Sequence, residues 1–264
     1  MPRTKNLKVL FLDILTDDQK LRKIFEREEG STYAEQMRSA FSLSEKELMA
    51  VDGSKGEFPN PNDFDAIVIG GSVEDPVKGK EKAWMKKVYQ YIRSVTEKEV
   101  PILGICGGLQ FTVRAFGGSI VYNPRGREFG SVEVVLNAVG SKDLLFRGMA
   151  KKNIVQSSHK CMAKSQMAEG KVLASSNMCD IQAIAVGDHI RLLQFHPEMT
   201  RQKVQALANV RKEELIKEGF VRDEKEFRKF VSSIQNTEQI GRKILKNFVT
   251  YFVLPHRAQQ GKDK

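Results

Sequence analysis

The sequence predicts an α/β fold: a doubly wound, mainly parallel sheet carrying a cysteine nucleophile elbow, followed by a C-terminal helical extension. Three observations lead there. Short apolar runs at residues 8–15, 64–69 and 102–105 alternate with stretches of helical period, the β-α-β order of a parallel sheet. The third run passes through Gly104-Ile-Cys-Gly-Gly108 straight into Leu109-Gln-Phe-Thr-Val-Arg-Ala-Phe116, giving strand, tight turn and helix with Cys106 at the apex. Beyond residue 200 the pattern is helical to the end.

Each element follows from its residues. Residues 8–15 (KVLFLDIL) are apolar enough for a buried first strand, and Thr16-Asp17-Asp18 offers caps for a helix to about residue 28. Residues 32–42 place Tyr33, Met37 and Phe41 at helical spacing, residues 47–51 suit a short second strand, and Pro59-Asn60-Pro61-Asn62 marks a turn. Residues 64–69 (FDAIVI) form a buried strand ending in Gly70-Gly71-Ser72. Residues 80–95 are helical, with Trp84, Val88, Tyr91 and Ile92 on one face, and the elbow follows. Segments 119–122, 131–136, 153–156, 171–174, 181–186 and 190–193 read as later strands and hairpins of the same domain. We therefore expect one domain over residues 1–200, with a helical extension, 201–264, packed on it. In that extension Ile240, Ile244, Leu245, Phe248, Val249, Phe252 and Val253 make one apolar stripe, expected to face the body of the domain; residues 259–264 are expected to fray.

Composition narrows the class. No apolar run approaches the ~20 residues of a membrane span. The first six residues lead directly into a strand without the apolar core of a signal peptide. Cys106, Cys161 and Cys179 form no CxxC, which argues against a disulfide framework or a zinc site and fits a reducing cytoplasm. The net charge is +10, and residues 201–264 hold 15 Lys and Arg against 8 Asp and Glu. These charges mix in sign along helical patterns without a nucleic-acid motif, so they read as a solvated helical face.

The elbow directs attention to thiol chemistry. Small residues two before and two after Cys106 let strand and helix approach closely, the turn pushes the thiol out of the sheet, and a helix N-terminus favours the thiolate. A buried structural cysteine at a strand end would give the same local pattern. A nucleophilic cysteine needs a base, and the base needs an orienting group. Of four histidines, His196 follows a strand-like run and is joined by Pro197 to Glu198, which can reach back to the imidazole. An oxyanion hole needs backbone N–H groups; Gly107 and the Gly70-Gly71-Ser72 loop are candidates, the loop lying at the same carboxyl edge as the elbow in a parallel sheet. An ordinary tight turn or a phosphate cradle are the alternatives for that loop, although GxxxxGK[ST] and GxGxxG are both absent.

Taken in order, Val68-Ile-Gly-Gly-Ser72, Gly104-Ile-Cys-Gly-Gly-Leu-Gln110, Gly126-Arg-Glu-Phe-Gly130, Ser157-Ser-His159 and Gln194-Phe-His-Pro-Glu198 resemble the class I (triad-type) glutamine amidotransferases, especially stand-alone members related to the glutaminase domain of GMP synthase. The resemblance spans about residues 7–200 and implies flavodoxin-like layers. It implies Cys106 as nucleophile, His196 as base and then acid, Glu198 as its orienting group, and Gly71 and Gly107 as oxyanion donors. It further implies that Gln110, Ser158 and His159 contact the amino-acid end of the substrate, the last two largely through backbone, and that Glu128 is a structural acid near the pocket. No metal or organic cofactor is implied. The implied substrate is glutamine or another γ-glutamyl compound, and a separate synthetase chain or subunit is a possible partner, because no SGGxDS-like motif for using ammonia is present. Ser72 replaces the family's usual proline, Leu109 its usual histidine and Cys161 a frequent aspartate. The last two touch the specificity pocket, so a γ-glutamyl peptidase or hydrolase is an alternative. A non-catalytic regulatory module is a third reading, against which stands the intact Cys106, His196 and Glu198 set.

Overall fold

Period-two burial builds the central sheet. In the first strand, β1 (Val9–Asp13), Val9 and Phe11 face one apolar cluster while Leu10 and Leu12 face another. The same alternation holds in β3 (Ala66–Ile69) and β4 (Ile102–Ile105), so both faces of these strands are covered, as a parallel sheet requires. The computed structural model describes residues 7–165, 167 and 169–260. The expectation for the first six residues, and that for residues 261–264, lie outside the described residues.

Among the described residues, nine strands form the sheet in the order β2-β1-β3-β4-β11-β10-β9-β6-β7. Here β2 is Leu48–Asp52, β6 Glu128–Leu136, β7 Lys152–His159, β9 Gly170–Ser175, β10 Ala183–Val186 and β11 Ile190–Leu193. The first five in this order are mutually parallel; beyond β11 each neighbour pairs antiparallel. Only β10 and β6 oppose the common direction, so the sheet is mainly parallel. A two-stranded sheet pairs β5 (Ile120–Tyr122) with β8 (Cys161–Ala163).

Helices cover both faces. Helix α1 (Gln19–Glu29) is capped by Asp18 and α2 (Tyr33–Phe41) by a reciprocal Thr32–Glu35 capping box. Helices α3 (Ala83–Thr96) and α4 (Gly107–Ala115) pack together through Phe111, whose ring lies 5.6 Å from that of Trp84 and 5.3 Å from that of Tyr89. After the sheet come α5 (Arg201–Val210), α6 (Lys212–Lys217), α7 (Glu224–Ser233), α8 (Glu238–Phe248), a π-turn over Val249–Val253, and α9 (Leu254–Gln260). The apolar stripe of α8 and the π-turn buries Ile244, Leu245, Phe248 and Val253 in the cluster shared with Phe11 and Val68. Each such side chain contributes about 1.5–3 kcal/mol on leaving water.

Several boundaries differ from the sequence reading. Strand β6 starts at Glu128 rather than residue 131, passing through Gly130 at φ 88°, a left-handed conformation that hides the strand from a propensity reading. Strand β8 leaves no mark in the sequence, since its three residues are too few to show an alternation. Residues 259 and 260, expected to fray, end helix α9. Helix α3 begins at Ala83 rather than residue 80.

Candidate active site

Four parallel strands, β1, β3, β4 and β11, end at one edge of the sheet, where open α/β sheets place their ligand crevice. Cys106 sits there between β4 and α4 at φ 50° and ψ −98°, a backbone conformation disfavoured for a residue with a Cβ. The glycines around it make the turn possible. A Cβ on Gly108 would lie 2.4 Å from the Ile69 carbonyl oxygen, and one on Gly104 would lie 2.9 Å from the Gly108 carbonyl carbon. Strand and helix thus meet at distances that no side chain permits. The Cys106 N–H donates to the Leu193 carbonyl at 2.7 Å, pinning the elbow to β11.

That pin brings the end of β11 beside the thiol. His196 lies three residues beyond Leu193, and its N–H donates to the Gln156 carbonyl of β7 at 2.8 Å. Its Nδ1 is 2.7 Å from Glu198 Oε1, and both side chains are buried. Burial disfavours the charged imidazolium, but the Glu198 carboxylate and the adjacent Cys106 sulfur outweigh it, and His196 holds its proton well above the ordinary imidazole range. Glycine at position 71 keeps the space between these groups open: a Cβ there would be 3.0 Å from His196 Cε1 and 3.8 Å from Cys106 Cβ. Cys106, His196, Glu198 and Gly71 therefore converge on one point.

The Gly71 amide is not free. It donates to the Tyr33 hydroxyl at 2.6 Å, and that hydroxyl donates to Glu198 Oε1 at 3.2 Å. Burial, and then the Glu198 charge, raise the Tyr33 pKa well above the usual phenol value, so the group remains a donor. The neighbouring Ser72 amide has no acceptor among the described residues and lies 2.5 Å from where a Gly107 Cβ would be. Gly107 opens α4, where amides lack an intrahelical acceptor. Sequence reasoning places Tyr33 only on a helix face; nothing local marks its hydroxyl as a partner of residues 38 and 165 positions away.

The remaining site residues divide between two clefts that meet at Cys106. The first is polar and takes in Gln110, Arg127, Ser158, His159 and Lys160, with Glu74 and Asp75 facing them. Gln110 Nε2 donates to the Cys161 carbonyl at 3.0 Å and to Gln194 Oε1 at 3.2 Å, while Gln194 Nε2 lies 3.6 Å from Cys106 Sγ. The Ser158 carbonyl is 3.9 Å from the same sulfur. His159 lines the cleft, but its ring is engaged elsewhere: Nδ1 is 2.9 Å from the Cys161 carbonyl and Nε2 is 2.8 Å from Glu128. Burial alone would raise the Glu128 pKa, yet hydrogen bonds from His159, Ser176 and Gln182 bring it below the usual value. Arg127 is held by Glu214 at 2.7 Å and Glu218 at 2.6 Å. Asp75, unmarked by any sequence motif, lies 3.4 Å from Cys161 Sγ and 3.2 Å from Lys160.

The second cleft runs from Cys106 and His196 between α1 and α5. Its walls are Leu15, Phe25, Val73, Met199 and Leu207, continuous with an apolar cluster under the C-terminal helices. No motif announces it, because its residues come from stretches scattered between Leu15 and Arg211. The other two cysteines stay thiols: burial pushes Cys179 up to about 12, and burial followed by Asp75 pushes Cys161 higher still. No helix among the described residues is long and apolar enough to cross a membrane.

Comparison with known proteins agrees with this architecture. The chain is 38% identical over 134 residues to one subunit of the glutamine-hydrolysing GMP synthase of Methanobrevibacter smithii, a match covering 50% of this chain and 63% of that one, less than two thirds of that relative's length. It is 25% identical over 203 residues to γ-glutamyl peptidase 2 of Arabidopsis thaliana, covering 74% of this chain and 80% of the other. The crystal structure of a glutamine amidotransferase from Thermotoga maritima superposes with a TM-score of 0.73 at 19% identity, over 94% of this chain and 98% of that one, and shares the fold. The sequence profile of the class I glutamine amidotransferases matches residues 39–212, and this chain belongs to that family.

Proposed function

We propose that this protein is a cysteine amidohydrolase that breaks γ-glutamyl amide bonds through a thioester on Cys106. The observation that carries the reading is the strained Cys106 turn, held against a buried His196–Glu198 pair at the carboxyl edge of the sheet. Cys106 attacks the γ-carbonyl carbon as thiolate; its proton resides on His196, which Glu198 keeps charged and oriented. The C–N bond then breaks as His196 gives that proton to the leaving nitrogen. Water, deprotonated by His196, releases glutamate and regenerates the thiol.

The oxyanion is assigned to the amides of Gly107 and the Gly71-Ser72 turn, with the substrate oxygen displacing the Tyr33 hydroxyl from Gly71. The α-amino-acid end is assigned to the polar cleft. Gln110, Ser158 and the backbone of His159 line it, and Asp75 offers a carboxylate for the α-ammonium beside Cys161. Similarity to the GMP synthase of Methanobrevibacter smithii supports a second reading, in which the released ammonia passes to a separate synthetase chain.

The test is hydrolysis of glutamine and γ-glutamyl amides by the wild type and Cys106→Ala. Loss of at least ~10³-fold on every substrate is expected. Unchanged turnover by Cys106→Ala would remove the assignment.

A further inference from the structure

The two clefts meeting at Cys106 differ in chemistry, and His196 lines only one of them. In thioester formation the imidazole must reach the leaving nitrogen, so the leaving group lies on the His196 side and the glutamyl portion on the other. The glutamyl side is polar, as a zwitterionic end demands. The His196 side carries Leu15, Phe25, Met199 and Leu207, apolar residues that the other cleft lacks, beside polar ones such as Ser31 and Gln36. When glutamine is cleaved the leaving group is ammonia, which uses none of this surface.

We infer that the second cleft is a leaving-group subsite and that the substrates it favours are γ-glutamyl dipeptides whose second residue is apolar. This inference rests on the γ-glutamyl amidohydrolase reading above. Phe25 and Leu207 are themselves buried and belong to a packed cluster, so the wall is preformed and does not have to assemble around the ligand. Burying a leucine or phenylalanine side chain there is worth a ~10- to 100-fold gain in specificity. The cleft also has a place for the second residue's carboxylate. Arg211 lines both clefts, and its buried Nε has no partner, although Nη1 binds Glu214 at 2.8 Å. The carboxylate is assigned to Arg211. Glu26 and Glu29 line the same cleft and disfavour a second residue with an acidic side chain. The balance is that of any amide hydrolysis: the peptide C–N bond breaks, the amine of the second residue leaves with the proton from His196, and water supplies the oxygen of the new γ-carboxylate.

The experiment compares kcat/KM of the full-length protein on glutamine, γ-glutamylglycine, γ-glutamylleucine, γ-glutamylphenylalanine and γ-glutamylglutamate. The expected result is a preference of at least tenfold for the leucine and phenylalanine dipeptides over the other three. Leu207→Gln should reduce that preference severalfold, with fold checked by circular dichroism; the wild-type series decides the matter even where this variant is unstable. Equal rates across the dipeptides, or a preference for glutamine, would overturn the inference and leave the amidohydrolase reading standing. Absence of hydrolysis of all five, together with failure of an electrophilic glutamine analogue to label Cys106, would overturn both.

Discussion

The two walls of the crevice are built differently. The sheet-edge wall, with Cys106, Gly71, His196 and Glu198, is fixed by backbone: a positive φ at Cys106, hydrogen bonds from Cys106 to Leu193 and from His196 to Gln156, and glycines where no Cβ fits. The helical wall, with Phe25, Leu207 and Arg211, is fixed by side chains from α1, α5 and the α5–α6 junction. The first is intolerant of change and holds the groups proposed to react. The second can exchange one apolar residue for another at small cost. On the proposed reading, chemistry is assigned to the sheet and selection to the helices.

The largest effect tests the sheet wall. Glu198→Gln should lower turnover ~10²- to 10⁴-fold, because His196 loses the carboxylate that orients it and holds its proton. The sign of the pH effect follows. His196 has a raised pKa in the fold, so the stabilisation its charged form provides is complete below the ordinary imidazole value and is lost as pH rises through the raised one. In Glu198→Gln the alkaline limb of Cys106 inactivation by an electrophilic glutamine analogue should move about 1–3 pH units lower. An unmoved limb would show that Glu198 does not support the charge.

A second substitution asks whether α8 braces the sheet-edge wall. A Cβ on Gly241 of α8 would lie 2.1 Å from the Pro197 carbonyl oxygen, inside the His-Pro-Glu segment. Gly241→Ala should cost about 1–3 kcal/mol in denaturant unfolding and lower kcat more than it raises KM, because the shift reaches His196 and Glu198. Stability lost without any change in kcat would mean that the C-terminal helices do not brace the reacting groups.

Asp75→Asn sharpens the contrast on the polar side. It should raise KM for γ-glutamyl substrates ~10-fold with little change in kcat, as loss of a charged ground-state contact does. Tyr33→Phe is the smallest change. It leaves the buried Gly71 N–H unpaired at a cost of about 1–3 kcal/mol of stability, and it should speed acylation of Cys106 up to ~10-fold by releasing that donor. Acylation slowed by this change would assign the hydroxyl a supporting role instead.

The difference between the walls also explains what is legible in the sequence. Backbone constraints leave marks: Gly104 and Gly108 flank Cys106 because nothing larger fits, and Pro197 between His196 and Glu198 shows in three letters. The apolar runs of β1, β3 and β4 are equally plain, since strands covered on both faces are continuous in hydrophobicity. Phe25 and Leu207 look like ordinary members of amphipathic helices, and only tertiary packing turns them toward Cys106. Asp75 illustrates the same limit. Cys161 stands where the family often has an aspartate, and the carboxylate that comes close to it arrives from 86 residues earlier in the chain. The antiparallel half of the sheet reads as strands, but its order follows from contacts between distant segments.

The most direct test of the central claim is rapid quenching of the wild-type protein during turnover of a γ-glutamyl amide, followed by peptide mapping by mass spectrometry. A γ-glutamyl thioester on Cys106 is expected, with Cys161 and Cys179 unmodified as internal controls. An adduct on either of those two, or turnover with no covalent intermediate on Cys106, would contradict it.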